Sequence, residues 1–198
     1  LTPYELQKIF NSIKNPKQRC LIKVQYSLAL RVHEVCKIKR TDFIKRFDMN
    51  SQKNVYDVKI LGKGDKHHIL PVPDETINEI FEYWRGVKNK NSPYLFQGQF
   101  KECYSTRSVQ IKMNEKMAEC RIQKKGCTHI LRHSRLTHMI QSGIDISYVQ
   151  LFARHESIKT TLQYVHLNTN DLRISFNRFD EFIESQIKYE QYQQRLSA

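Results

Sequence analysis

Nothing in this sequence supplies a disulfide framework or the ligand set of a structural metal. Cysteine occurs five times, at Cys20, Cys36, Cys103, Cys120 and Cys127. The count is odd and no two stand at a CxxC spacing, which argues against both a disulfide scaffold and a zinc site. Buried free thiols in a reducing compartment are expected instead. His129 and His133 are four apart, but the Glu of an H-E-x-x-H pattern is missing. Acidic residues form no group with metal-binding spacing. No run of about 18 apolar residues occurs, so no transmembrane helix is expected. The first residues lack the shape of a signal peptide. The glycine-rich stretch Leu61-Gly62-Lys63-Gly64-Asp65-Lys66 lacks the spacing of a nucleotide-binding phosphate loop.

What is abundant is positive charge. In 198 residues, Lys and Arg number 33 against 20 Asp and Glu, a net charge of +13. Such an excess suits a polyanionic partner, because neutralising phosphates releases counterions. A hydrophobic content of 39% is enough for a core in one ordinary domain, or a domain with a tail.

Periodicity then divides the chain. Thr2, Pro3 and Glu5 form a capping box ahead of Leu6, Ile9, Phe10 and Ile13. A second helix is expected over about 18–30, and a short one after Arg31, where Glu34 is one turn on and able to hold the arginine. Alternation of Val55, Asp57, Lys59 and Leu61 with Tyr56, Val58 and Ile60 predicts a strand. A glycine-rich turn and a second strand through Val72 complete a β-hairpin. Further helices follow from Asp74 or Thr76, from Ser105 or Thr106, from Thr128, expected as the cap, to Gly143, and from Asp145 or Ser147. A short one runs from Ser157 to near Tyr164. Trp84, Tyr148 and the methionines Met113 and Met117 are expected to pack in the core. Lys124 and Lys125 form a basic turn. Leu172, Phe176, Phe179, Phe182, Ile183 and Ile187 define an amphipathic segment that must bury its apolar stripe. The fold class is mainly α with a small antiparallel β-sheet.

The chemistry concentrates between Thr128 and His166. His129 and Arg132 share the first turn of a helix, where backbone N–H groups also favour an anion. His155 follows Arg132 by 23 residues and Tyr164 follows His155 by nine, just after Thr160 and Thr161. A phenol with an ordinary pKa near 10 needs a base or nearby cations to attack at neutral pH, and arginines suit the bidentate grip of a phosphate.

Taken with Arg31 and the hairpin lysine, the stretches ALRVHEV, LGKGDKHHILPV, THILRHSRLTHMI and RHESIKTTLQYVHL stand in the order found in tyrosine recombinases. The chain resembles the catalytic domain of that phage-integrase and Xer-type family from LTPYEL to about His166. The resemblance implies that Arg31 and Arg132 grip the scissile phosphate. Lys63 would be the general acid, with Lys66 as the fallback. His129 would assist proton transfer, His155 would donate to the phosphate, and Tyr164 would be the nucleophile of a 3′-phosphotyrosine. No cofactor and no metal are implied. One departure stands out: the family usually has Gly before the second histidine, where this chain has Arg154. That arginine could add a phosphate contact or shift the loop.

The same resemblance implies a catalytic domain over 1–167 and a C-terminal helix over 168–198 that could be exchanged between subunits. An N-terminal DNA-clamping domain is expected to lie outside this chain. It further implies double-stranded DNA with an inverted-repeat site, a homotetramer on that DNA, no membrane, and a cytoplasmic, nucleoid-associated location. The implied function is site-specific recombination in integration, excision, transposition or chromosome-dimer resolution. The alternatives are relaxation of DNA in the manner of a type IB topoisomerase, and non-catalytic DNA binding on the same fold.

Overall fold

Helix ends and the apolar spacing of the helices dictate most of the architecture seen in the computed structural model. It describes residues 1–62, 66–87, 92–98, 102–124, 126 and 128–165, with positions 181, 183, 185 and 192 of the tail. Lys63, Lys125, Cys127, His166 and most of the expected tail helix lie outside the described residues. The chain runs through α1 (Pro3–Ser12), α2 (Pro16–Ser27), α3 (Val32–Lys37), β1 (Phe43–Asp48), β2 (Lys53–Leu61), β3 (His67–Val72), α4 (Asp74–Arg85), α5 (Thr106–Glu119), α6 (His129–Gln141), α7 (Ile146–Ala153) and α8 (Lys159–Leu162). The fold is mostly helical with one small antiparallel sheet, as the sequence predicts.

The capping box of α1 forms as expected: Glu5 N–H donates to Thr2 Oγ1 and Thr2 N–H donates to Glu5 Oε2. Helix α2 begins earlier than expected, at Pro16, where a missing N–H is no loss. The Asn15 side chain accepts from Gln18 N–H. The helix also stops earlier, because Ala29 turns to a φ of 47°. Cys20, Leu21, Ile22, Val24 and Leu28 of this segment are fully buried at the centre of the core.

The sheet has three strands in the order β1-β2-β3, not two. Phe43 pairs with Val58 and Asp48 with Lys53, while Tyr56 pairs with Val72 and Leu61 with His67. Strand β1 carries Lys45 and Arg46 among its apolar residues and is mostly solvent-facing. Its Arg46 Nε meets Asp57 Oδ2 at 3.0 Å, so its placement depends on pairing rather than burial. The alternation expected for β2 holds, with Val58 and Ile60 buried and Lys59 and Leu61 exposed. At the neck of the hairpin Gly62 N–H donates to the Lys66 carbonyl at 2.8 Å. A Cβ there would sit 3.1 Å from the His68 ring, so a side chain would require that ring to give by a few tenths of an ångström.

Two expectations fail in this region of the chain. Tyr148 is 68% exposed on α7 and is not a core residue. Only Val149 and Ala153 of α7 are buried, so Tyr148 falls on the outer face. Thr128 makes no side-chain cap, because it already has helical angles. It is buried, and its carbonyl accepts from Gln25 Nε2 at 3.3 Å, which fixes the start of α6 against α2. Lys124 ion-pairs with Glu5 at 2.6 Å. Met113 and Met117 are buried as packing residues, and Trp84 packs against the core.

Gly143 ends α6 with a φ of 85°. Gly143→Ala should cost about 1 kcal/mol for placing a Cβ in the left-handed region. For a domain of this size that lowers the melting temperature by about 2–4 °C, read by thermal unfolding.

Candidate active site

Four separate segments meet on one side of the domain. Arg31 stands just before α3. Its backbone N–H donates to Glu34 Oε2 at 2.7 Å and its Nη1 donates to Glu34 Oε1 at 3.0 Å. The expected Arg31–Glu34 pair is therefore present, but with an asymmetry. The Arg31 side chain is 35% exposed while that of Glu34 is buried. Burying a carboxylate requires strong partners, and Arg31 is not the only one. Arg154 Nη2 reaches Glu34 Oε2 at 2.9 Å from across the chain. Burial alone would push the Glu34 carboxyl up, and the two arginines outweigh it and hold it below its ordinary range.

Arg132 rises from the first turn of α6 and is buried. Its Nη1 donates to the Ala29 carbonyl at 2.6 Å and its Nη2 to the Ala153 carbonyl. Desolvation, with the positive charges of Arg154 and Arg31 nearby, pulls its pKa down to about 10, so it stays charged at neutral pH. Three guanidinium groups thus surround one carboxylate, an excess of two positive charges. Such a group is complementary to a phosphodiester.

His155 follows the α7 cap. Its Nδ1 lies 2.9 Å from Thr161 Oγ1. When the hydroxyl donates, the neutral ring carries its proton on Nε2 and offers a single donor. Partial burial, then Arg132, Arg31 and Arg154, lower its pKa to about 4. The folded state therefore favours neutral His155. Between pH 6.5 and 4 the unfolded chain binds the proton and the folded one does not, so stability falls as the pH falls. Thermal unfolding over that range should lose stability more steeply in the native sequence than in His155→Gln.

Tyr164 ends this segment in a second apolar cluster with Ala29, Leu136, Met139, Val149 and Ala153. It is only 6% exposed. Burial raises the phenol above its ordinary pKa, against the pull of Arg132. Its ring stacks on His155 with centroids 6.3 Å apart and an interplanar angle of 9°. Its ring also neighbours His133, with centroids 5.2 Å apart, and His133 in turn neighbours His129 at 6.4 Å.

In front of this cluster lies a cleft of about 670 Å³ lined by Arg31, Lys66, His68, Arg154, His155 and Thr160, among others. Arg31, Arg132, His155 and Tyr164 therefore come together, with Arg31 and His155 on the cleft wall and Arg132 and Tyr164 behind it. His129 lies one ring further out, past His133. Lys66 reaches the cleft, and Lys63 lies outside the described residues. Two neighbours take parts that the sequence did not suggest. His133 stands between His129 and Tyr164, and the i,i+4 spacing on α6 was the signal for it. Arg154 is buried and paired with Glu34, for which the only sign was its place beside His155.

Comparison with known proteins identifies the family and the fold. Residues 1–171 match the model of the Phage integrase family. The tyrosine recombinase XerA of Pyrococcus furiosus is 33% identical over 183 residues, covering 90% of this chain and 60% of its own. The crystal structure of XerA recombinase superposes with a TM-score of 0.71 at 25% identity, covering 90% of this chain and 64% of that one. The XerH site-specific recombinase, solved bound to its difH substrate, shares the fold with a TM-score of 0.69 at 23% identity, covering 88% of this chain and 52% of that one. The chain spans about three fifths of the length of the Pyrococcus relatives it matches. With its family model matched over most of its length and the four segments converging on one cleft, the chain belongs to the phage integrase family.

Proposed function

We propose that this chain is the catalytic domain of a site-specific DNA recombinase acting through a 3′-phosphotyrosine. The observation that carries the reading is the convergence of Arg31, Arg132, His155 and Tyr164 on one cationic cleft from segments as far as 133 residues apart. In this reading the scissile phosphate enters the cleft at Arg31, with Arg132 and His155 donating to its nonbridging oxygens. Tyr164 Oη attacks phosphorus, the bond to the 5′-oxygen breaks, and the phenol proton passes to the histidine side of the site, where His129 and His133 stand. Lys63, or Lys66 in its place, gives a proton to the departing 5′-oxygen. One phosphodiester is exchanged for another, so the reverse attack by a 5′-hydroxyl rejoins the strand without an energy source. Cations fixed around the phosphorane charge supply the main stabilisation.

Residues 1–167 would carry this chemistry. The amphipathic segment of 168–198 would dock on a neighbouring subunit in a tetramer on an inverted-repeat site. The further length of the relatives would supply a DNA-clamping domain. The activity places the protein with the DNA in the cytoplasm.

The test is covalent trapping. Nicked duplexes, or duplexes with a 5′-bridging phosphorothiolate, carrying candidate sites are incubated with the chain in EDTA and run on a denaturing gel. A protein–DNA band resistant to denaturation is expected. Binding to every site without such a band would leave a DNA-binding protein only.

A further inference from the structure

Arg154 is an unusual residue for its place. It caps α7 in the left-handed conformation, with φ 57° and ψ 43°. Its N–H donates to Leu151 and the next N–H, of His155, donates to Gln150. A side chain at such a cap costs about 1 kcal/mol relative to glycine. It borders the cleft, but its side chain is only 2% exposed and is committed to protein partners. Instead Nη2 meets Glu34 Oε2 at 2.9 Å and the Ala29 carbonyl at 3.4 Å, and Nη1 meets the Phe152 carbonyl at 3.1 Å. Ala29 is itself held at positive φ. A left-handed backbone thus stands at each end of the bridge, and strain of this kind persists only where surrounding contacts enforce it.

Charge accounting suggests what the bridge does. Glu34 touches Arg31 through both the backbone N–H and the guanidinium. Paired with Glu34 alone, Arg31 would face the cleft as one half of a neutral couple. With Arg154 on the same carboxylate, the three groups carry a net charge of +1, and the exposed member is Arg31. We propose that Arg154 is a positioning residue that neutralises Glu34 so that Arg31 meets the scissile phosphate with its full charge, while fixing the cap from which His155 follows. This rests on the phosphotyrosine reading above.

The test compares the native chain, Arg154→Ala, Arg154→Lys and the double variant Glu34→Gln/Arg154→Ala, each checked for folding by thermal unfolding. Trapping rates are measured on a 5′-bridging phosphorothiolate duplex over a range of DNA concentrations. The sulfur leaving group needs no proton from a lysine, so the rate reports the grip on phosphate. Arg154→Ala gives Arg31+, Glu34−, a net of zero, and should lower the maximal rate about 10–100-fold. The half-saturating DNA concentration should move less than about 3-fold, since Arg154 does not touch DNA. The double variant removes the carboxylate charge as well and returns the net to +1. It should recover about 10-fold of the loss, and Arg154→Lys should recover part of it. A double variant no faster than Arg154→Ala would overturn the proposal, since a purely structural bridge gains nothing from a second substitution. Equal rates in all four would overturn it too.

A second readout needs no turnover. The imidazole of His155 is titrated by NMR in the same four proteins. The groups facing it are Arg31, Arg132, Arg154, His133, Thr161 and Tyr164. Its pKa should rise in Arg154→Ala and move back in the double variant. If the native chain forms no adduct, the phosphotyrosine reading fails for this chain while the titration still decides the charge balance. A titration unmoved by Arg154→Ala overturns it.

Discussion

Tyr164→Phe is expected to abolish the covalent protein–DNA adduct and to leave duplex binding and folding almost untouched. The ring packs on Ala29, Leu136, Met139, Val149 and Ala153 and stacks on His155, and phenylalanine keeps all of those contacts. Only Oη is lost, and without it no bond to phosphorus can form. The melting temperature should therefore shift by no more than about 2 °C, as for a volume-conserving change that gives up a hydrogen bond with the exposed Gln163. Duplex affinity should stay within about 2-fold, because long-range attraction comes from the +13 net charge. Trapping on the phosphorothiolate duplex, beside a gel-shift measurement on the same DNA, checks both halves. Persistence of the band would place the nucleophile elsewhere, with the exposed Tyr148 the first to substitute.

Glu34→Ala is expected to be the most destabilising single change at the site. Arg31 can turn its charge to water, but Arg154 cannot, since its side chain is buried. Removing one partner of a buried ion pair costs about 3–5 kcal/mol, because the remaining charge is left without compensation. In a domain of this size that is a fall in melting temperature of about 6–20 °C. Glu34→Gln, which keeps the acceptor for Arg31, should fall less. The solvent-exposed pair of Lys53 and Asp74 provides the contrast: Lys53→Ala should leave the melting temperature essentially unchanged. A Glu34→Ala protein as stable as Lys53→Ala would refute the view that the carboxylate is the hub of the site.

Local pattern made the helices and the β2–β3 hairpin legible, because a buried stripe has to recur at the period of its element. It made strand β1 illegible for the same reason. Lys45 and Arg46 interrupt its apolar residues, and its place is set by pairing with β2 and by Asp57. Tyr148 looked like core by its neighbours, yet the narrow buried stripe of α7 passes through Val149 and Ala153 instead. His129, Arg132, His155 and Tyr164 stood out by type and spacing, whereas Arg31 and the hairpin lysine were singled out only by the family resemblance. What could not be read was who holds whom. Glu34 and Arg154 are 120 positions apart and Arg132 and Ala29 are 103 apart, and no local period links such pairs. The burial of Tyr164 was likewise hidden, since a nucleophile and a core aromatic are the same residue type.

Those separations bear on how the protein is made. During synthesis Arg31 and Glu34 are made together, but the second partner of Glu34, Arg154, follows 120 residues later, and the partners of the Ala29 carbonyl, Arg132 and Arg154, follow 103 and 125 residues after it. Contacts of such long range form late in folding. A chain cut short by premature termination before α7 would have the first arginine and the hairpin but neither Arg154, His155 nor Tyr164. Incomplete copies would therefore carry basic surface without the side chains proposed to break a strand.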